Sequence, residues 1–312
     1  MTRFTDEELQ RKVQEGFIVE SEADMTETYK KALITQLTVQ ADTELMSAPA
    51  YQMAAVDAPS TNTMVSATAI IQDELGHANI AYRLLEDLGV DTEWLVYERP
   101  PNKFKNPYGF DQPLINWAEL VTANGLYDRA GITLLGDVFR HTSYGPLKRA
   151  LVKVDMEENF HLRHGEVWMR RLAEAGGEAR ELVQRALEWM FPMGVEWFGM
   201  PDDKKRHNAQ LDFRLKGMTN DQLRQTWMKA VVPLCDELGF EVPARVNEDT
   251  GEVELDFELP CQYDPDERRW LYDEHITWDE VWDRWRGRGP MNEQFVDSVR
   301  TSRQSMEALI AA

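Results

Sequence analysis

"EENFH", residues 157–161, sets a glutamate and a histidine three residues apart inside a stretch that otherwise reads as the apolar face of a helix. Steps of three and four from Glu158 and His161 reach Leu147, Leu151 and Val154 on one side and Gly165, Trp168 and Leu172 on the other. Both polar side chains therefore point inward, where Leu or Val would be expected. A misjudged surface face, a satisfied polar core and metal ligation are the three explanations, and the rest of the chain decides among them.

The pattern recurs in "QDELGH", residues 72–77, where Ala67, Ile70, Glu74, His77, Ala81, Leu84 and Leu88 share a face. Two more stripes carry one inward carboxylate each. Tyr29, Leu33, Leu37, Ala41 and Glu44 form one; Trp117, Val121, Gly125, Asp128, Ile132, Leu135 and Phe139 form the other. Glu74 follows Glu44 by 30 residues, and Glu158 follows Asp128 by the same 30. Each half of the chain thus supplies a helical hairpin with a carboxylate and then Glu-x-x-His. This is a repeat of function without a detectable repeat of sequence.

The residue types fit one chemistry. Side chains at i and i+3 share a helix face and can share a metal. A bundle offering one carboxylate from each of two helices, and Glu-x-x-His from each of the other two, builds a di-iron or di-manganese site. Four carboxylates cancel the charge of two divalent ions; without metal they would repel one another at a heavy desolvation cost. A core of salt bridges would need Arg or Lys on the same stripes, and none stands beside these residues. The predicted ligands are Glu44, Glu74, His77, Asp128, Glu158 and His161. Asp73 and Glu157 each precede a ligand glutamate and are read as accepting a proton from a ligand histidine of the opposite half, the alternative being a solvated face. His164 is expected to point away or cap a neighbour. His141, His207 and His275 are expected to be structural or exposed, and Tyr127 to be helix packing.

The surrounding chain reads as an all-α four-helix bundle with additions. Residues 1–22 form a mobile or draping arm, 23–240 the metal-binding helical domain, and 241–312 a C-terminal extension packing on the bundle or a partner. The first long helix is expected from Asp24 to Ala48, stopped by "SAPA". The second opens at Ser60 or Thr61 and ends at Gly89. After the loop "YERPPNKFKNPYGF", the third opens with Asp111 as cap and Pro113 in its first turn, and runs to His141. The fourth spans Pro146 to Gly176, and shorter helices are expected near 178–190 and 219–238. "ARVNEDTGEVELDFEL" alternates around a turn and predicts a β-hairpin; "DPDERRWLYDEHITWDEVWDRW" reads as a polar–aromatic stretch before a final helix.

Composition narrows the class. The chain of 312 residues is 43% hydrophobic and 29% charged, ordinary for a soluble globular protein. A net charge of −21 argues against phosphate-backbone contact with nucleic acid. Two cysteines, Cys235 and Cys261, make no disulfide framework and point to a reducing cytoplasm. The opening residues hold no apolar signal region, and no apolar run would span a membrane.

Several segments resemble a known family. "QDELGH", "RHTSYGPLKRALVKVDMEENFHLRHG", "PDDKKRHNAQLDFRLKGMTNDQLRQ", "VVPLCDELGFEVP" and "RGRGPMNEQ" are similar to the catalytic subunits of phenylacetyl-coenzyme A epoxidases, bacterial multicomponent ring-oxygenating enzymes. The similarity runs in order from about Tyr29 to Gln294, and several segments lie outside the metal motifs. The resemblance implies a ferritin-like fold with two iron ions at the six ligands, and no organic cofactor. It implies an oxygenase that uses O2 to epoxidise the ring of an aromatic acyl-CoA, most simply phenylacetyl-CoA, in aerobic phenylacetate degradation. It implies partners too: a homologous non-catalytic helical subunit, an iron–sulfur flavin reductase and a small accessory subunit. Lys105, Arg214, Lys216 and Asn220 match the family's coenzyme A side, whereas Thr35, Val39 and Ile70 replace its other basic and polar contacts. A sister-group oxygenase, a ferroxidase and a non-catalytic scaffold are the alternatives. A ferroxidase would not need the long linker, the basic residues near Arg214 or the C-terminal extension; a scaffold would not keep all six ligands. Trp278, Trp282 and Trp285 are expected either to present a partner surface or to pack on the protein's own helices.

Overall fold

Local sequence sets the ends of most helices in the computed structural model, which describes residues 3–204 and 209–311; His207 lies outside them. Helix α1, Asp6–Gln14, is capped by Thr5 in a reciprocal box with Glu8 and buries Leu9 and Val13. Val19 then pairs with Tyr144. The arm is therefore docked, because these three apolar side chains find a core.

Helix α2 spans Glu27–Ala55 and does not stop at Ala48. Pro49 costs the helix a hydrogen bond and crowds the preceding turn, a penalty of about 3 kcal/mol. Burial of Met46, Ala50, Tyr51 and Ala54 around it outweighs that penalty. Helix α3, Thr61–Asp87, opens on a Ser60 cap, and Gly89 turns the chain away with a φ of +77°. The linker holds a π turn, Trp94–Glu98, and two 3-10 turns.

Asp111 does not cap the next helix. It is fully buried and accepts a hydrogen bond from Asn106 at 2.8 Å. Asn116 takes the cap instead, its side-chain oxygen accepting from the Glu119 amide. Helix α4, Trp117–Ala123, passes through a π turn, Asn124–Asp128, into α5, Arg129–His141. The extra residue rotates the buried face. Ala130, Thr133 and Val138 are buried after the turn, while Ile132, Leu135 and Phe139 of the expected stripe are only half-buried.

Helix α6, Gly145–Ala175, ends at Gly176, and α7, Gly177–Trp197, continues through Pro192 on a buried run from Trp189 to Glu196. A single turn, α8, Ala209–Asp212, precedes α9, Asn220–Leu238, which Thr219 caps. Strands β1, Ala244–Val246, and β2, Val253–Leu255, form the expected hairpin. A second hairpin follows in place of the expected polar–aromatic stretch: β3, Cys261–Asp264, against β4, Arg269–His275. Asp264 accepts from the amides of Asp266 and Glu267 to make the turn, and Tyr263 and Trp270 bury the inner face. Helices α10, Trp278–Gly287, and α11, Pro290–Ala311, close the described chain.

The fold is all-α and ferritin-like, with two small antiparallel strand pairs in its C-terminal part. The chain forms two compact units, residues 1–32 with 116–278, and residues 33–115 with 279–312. Trp278 is buried, and Trp282 and Trp285 are half-buried and meet edge to face at 5.3 Å, so these tryptophans pack on their own chain. Among the described residues no helix is long and apolar enough to cross a membrane.

Candidate metal centre

In the unit formed by residues 33–115 and 279–312, α2 presents Glu44 and α3 presents Glu74 and His77. The three are 6%, 3% and 0% exposed, although all are polar. His77 Nδ1 lies 3.5 Å from the Glu44 carboxylate. The Ser47 hydroxyl, one turn past Glu44, donates to Glu74 Oε2. Two helices thus hold one imidazole and two carboxylates, with a hydroxyl fixing one carboxylate. Asp73, beside Glu74, is half-buried.

Asp42 supports the same unit from deeper in the core. It accepts from the Tyr82 hydroxyl at 2.7 Å, from the Arg99 guanidinium and from the Lys105 amide at 2.8 Å. Burial pushes the Tyr82 phenol well up. This network pins the linker to α2 and fixes where Lys105 leaves the backbone. The Lys105 side chain is exposed on a cavity of about 450 Å³, whose wall includes Val39, Phe104, Trp282, Trp285 and Arg286.

In the unit formed by residues 1–32 and 116–278, the π turn presents Asp128, and α6 presents Glu158 and His161. They are 5%, 3% and 0% exposed. His161 Nδ1 lies 3.8 Å from the Glu158 carboxylate. Asn124, one turn before Asp128, donates its amide to Asp128 Oδ2 at 2.9 Å. Helix α6 approaches this turn backbone to backbone: a Cβ on Gly165 would lie 2.4 Å from the Gly125 nitrogen. Glu157 is half-buried and paired with Lys153 of its own helix at 2.7 Å.

The remaining sequence candidates take ordinary positions. Tyr127 is buried against Trp197 at 5.6 Å, and burial pushes its phenol up. His141 meets the carboxylate of Asp137 at 2.8 Å near the end of α5, and His275 is exposed at the end of β4. His164 is not on the surface. It is 9% exposed, with Nδ1 3.1 Å from Asn124 Oδ1, and burial pushes its imidazole down to about 4. Of the predicted coenzyme A residues in this unit, Lys216 donates to the Asn220 side chain at 3.1 Å. Arg214 donates to the Val13 carbonyl and so ties down the N-terminal arm.

Each unit therefore offers two carboxylates and one imidazole nearly sealed from water, and among the described residues Glu44, Glu74, His77, Glu158 and His161 belong to groups that could hold a metal ion, whereas Asp128 joins none of these groups. The donor set fits the group: oxygen and imidazole ligands with no thiolate suit iron or manganese, and two carboxylates balance one divalent charge in each unit. Sequence reasoning missed Ser47, Asn124 and Asp42, which touch Glu74, Asp128 and the linker. Only an Asn or Asp on a stripe otherwise apolar could have signalled the last two.

Fold and buried donors together define a class, a ferritin-like helical protein with carboxylate and histidine groups able to take metal. Comparison with known proteins narrows it. The chain belongs to the family described as phenylacetic acid catabolic protein, whose model matches residues 1–262. It is similar to one of the subunits of the 1,2-phenylacetyl-CoA epoxidase of Escherichia coli (strain K12). The two are 28% identical over 296 residues, covering 95% of this chain and 91% of that protein.

Proposed function

We propose that this protein is the oxygen-activating subunit of a ring epoxidase acting on an aromatic acyl-CoA, most simply phenylacetyl-CoA in phenylacetate degradation. In this reading Glu44, Glu74, His77, Asp128, Glu158 and His161 are the ligands of two iron ions. The observation that carries it is the recurrence, in each unit, of one buried carboxylate with a buried Glu-x-x-His. Similarity to an epoxidase subunit supports the reaction class.

The bound iron pair would supply activation of O2 for transfer of one oxygen atom to an aromatic double bond, with electrons from an external iron–sulfur flavin reductase. The protein's own residues do the rest. Four carboxylates neutralise the charge of two ferrous ions. Ser47 and Asn124 hold Glu74 and Asp128 in place by hydrogen bonds. Ala41, Ala78 and Ala81 in one unit, and Val121, Leu151 and Val154 in the other, keep the surroundings dry. Asp73 and Glu157 are proposed to steady the ligand histidines.

The cavity beside Lys105 supports the acyl-CoA assignment. Lys103, Lys105 and Arg286 bring positive charge to a chain of net charge −21, and Trp282 and Trp285 offer faces on which a purine can stack. Val39, uncharged, lines the same cavity, and Ile70 is buried. These two residues favour a second reading, a sister enzyme with a different aromatic acyl-CoA. Lys216 and Asn220 are proposed as further coenzyme A contacts. Homologous helical and accessory subunits are proposed as partners, because the similar protein is itself named as one subunit. Free, buried Cys235 and Cys261 suit a reducing cytoplasm.

The test is oxygen consumption by the iron-loaded protein with its partner subunit, a reductase and phenylacetyl-CoA. Substrate-dependent uptake with formation of the ring epoxide is expected. Uptake that ignores the aromatic ester would overturn the assignment.

A further inference from the structure

We propose that His164 is a positioning residue for the metal centre, acting on Asp128 through Asn124. The inference rests on the di-iron reading but concerns a histidine outside the six ligands. Asn124 sits in the π turn, four residues before Asp128, with its side-chain nitrogen 2.9 Å from Asp128 Oδ2. A carboxylate only accepts, so that atom is the amide NH2, and the amide oxygen necessarily faces the other way. It faces His164, whose Nδ1 lies 3.1 Å away. An amide oxygen also only accepts, so His164 must carry its proton on Nδ1. The chain of donation then runs one way, from His164 Nδ1–H to Asn124 to Asp128.

His164 has little else to hold it to this tautomer. Its Nε2 is buried without a hydrogen-bond partner among the described residues. The ring stands edge-on to Trp117 at 5.6 Å, which fixes its plane. Gly165, the next residue, brings α6 so close to the π turn that a Cβ there would lie 2.8 Å from Asn124 Cβ. The backbone approach, the aromatic wall and the bond to Asn124 all serve one distance. An imidazole buried for one hydrogen bond sacrifices an acceptor, which costs about 1–3 kcal/mol. Core packing alone would be met by Phe or Leu.

With Asn124 oriented this way, its NH2 holds Asp128 Oδ2 and so fixes the set of the carboxylate. Flipped, the amide would set an oxygen against the carboxylate and drive Asp128 out of position. His164 thus sets how the Asp128 carboxylate would be offered to an iron ion, without contributing a ligand itself.

The experiment compares wild type, His164→Gln and His164→Phe in the full chain with its partner subunit. Glutamine can still donate to Asn124; phenylalanine fills the space and cannot. Thermal unfolding without metal checks that each variant folds. Anaerobic Fe(II) titration with Mössbauer spectroscopy then reads the sites separately. In His164→Phe one iron should bind about 10–100-fold more weakly with an altered doublet while the other is unchanged, and His164→Gln should restore both. Asn124→Asp, which replaces the donor by an acceptor, should reproduce the His164→Phe pattern. Two wild-type doublets in His164→Phe would overturn the proposal, as would equal losses in the Phe and Gln variants. If wild type binds no iron pair, the di-iron reading itself fails, and this inference with it. Two irons in wild type with no effect at His164 sink only the positioning role.

Discussion

A methyl group added at Gly165 would land 2.4 Å from the Gly125 nitrogen, closer than any relaxed contact. Gly165→Ala must therefore push α6 off the turn that carries Asp128. We expect a loss of roughly 1–3 kcal/mol in denaturant unfolding, the usual cost of overpacking. Weaker iron binding should accompany it. Wild-type stability in this variant would show that the close approach is not maintained. At the same scale, the burial of the six proposed ligands was legible because a polar side chain on an apolar stripe contradicts its surroundings. The inward carboxylate of Glu158 is visible in sequence; the hydroxyl of Ser47 is not, since Ser on a helix breaks no pattern. The burial of His164 was hidden for a related reason. Three residues past His161 it lies beside the ligand stripe, and only the approach of α4 and the π turn buries it.

Among elements, the C-terminal helices hold the linker through buried charge. Arg288 donates to the Asn106 carbonyl and side chain and faces Asp111 at 3.4 Å, and Asn292 also donates to Asn106. Burial pushes the Asp111 carboxyl up to about 7, against the pull of Arg288 and hydrogen bonds from Asn106 and the Gly289 amide; Glu293 adds to the rise. The unfolded chain releases this proton near 3.8, so the folded state binds it more tightly. Its contribution to stability is full below about 4 and is lost as pH rises through about 7. Asp111→Asn should remove that slope, so the melting temperature of the variant gains on wild type between pH 5 and 8. Parallel curves would refute the shift. Capping gives a smaller check: Thr219→Ala should cost about 1 kcal/mol in denaturant unfolding. Thr219 and Ser60 were readable as helix starts because their side chains act locally. The passage of α2 through Pro49 and the second hairpin were not. Both depend on burial by residues distant in sequence, which overrides the local preference of proline for a stop and of charged residues for a loop.

For the whole molecule, the net charge of −21 bears on substrate and partners rather than on fold. The cations of the Lys105 cavity would draw a polyphosphate toward a chain whose net charge otherwise repels it. Titration of coenzyme A into wild type and Lys105→Ala, Arg286→Ala should show the variant losing affinity and salt dependence together. Equal binding by both would remove that cavity from the substrate path. Helical class was legible from periodicity, and a two-fold recurrence of buried carboxylates and histidines from spacing. What covers the outer surface was not, because the tryptophans that suggested a partner face turn back onto their own chain. The central claim, that the two buried sets take a pair of iron ions, is tested most directly by anaerobic Fe(II) loading followed by metal analysis and Mössbauer spectroscopy. About two irons per chain are expected, and a Glu74→Ala, Glu158→Ala double variant should lose them. A single mononuclear iron, or iron retained equally by the double variant, would contradict the account.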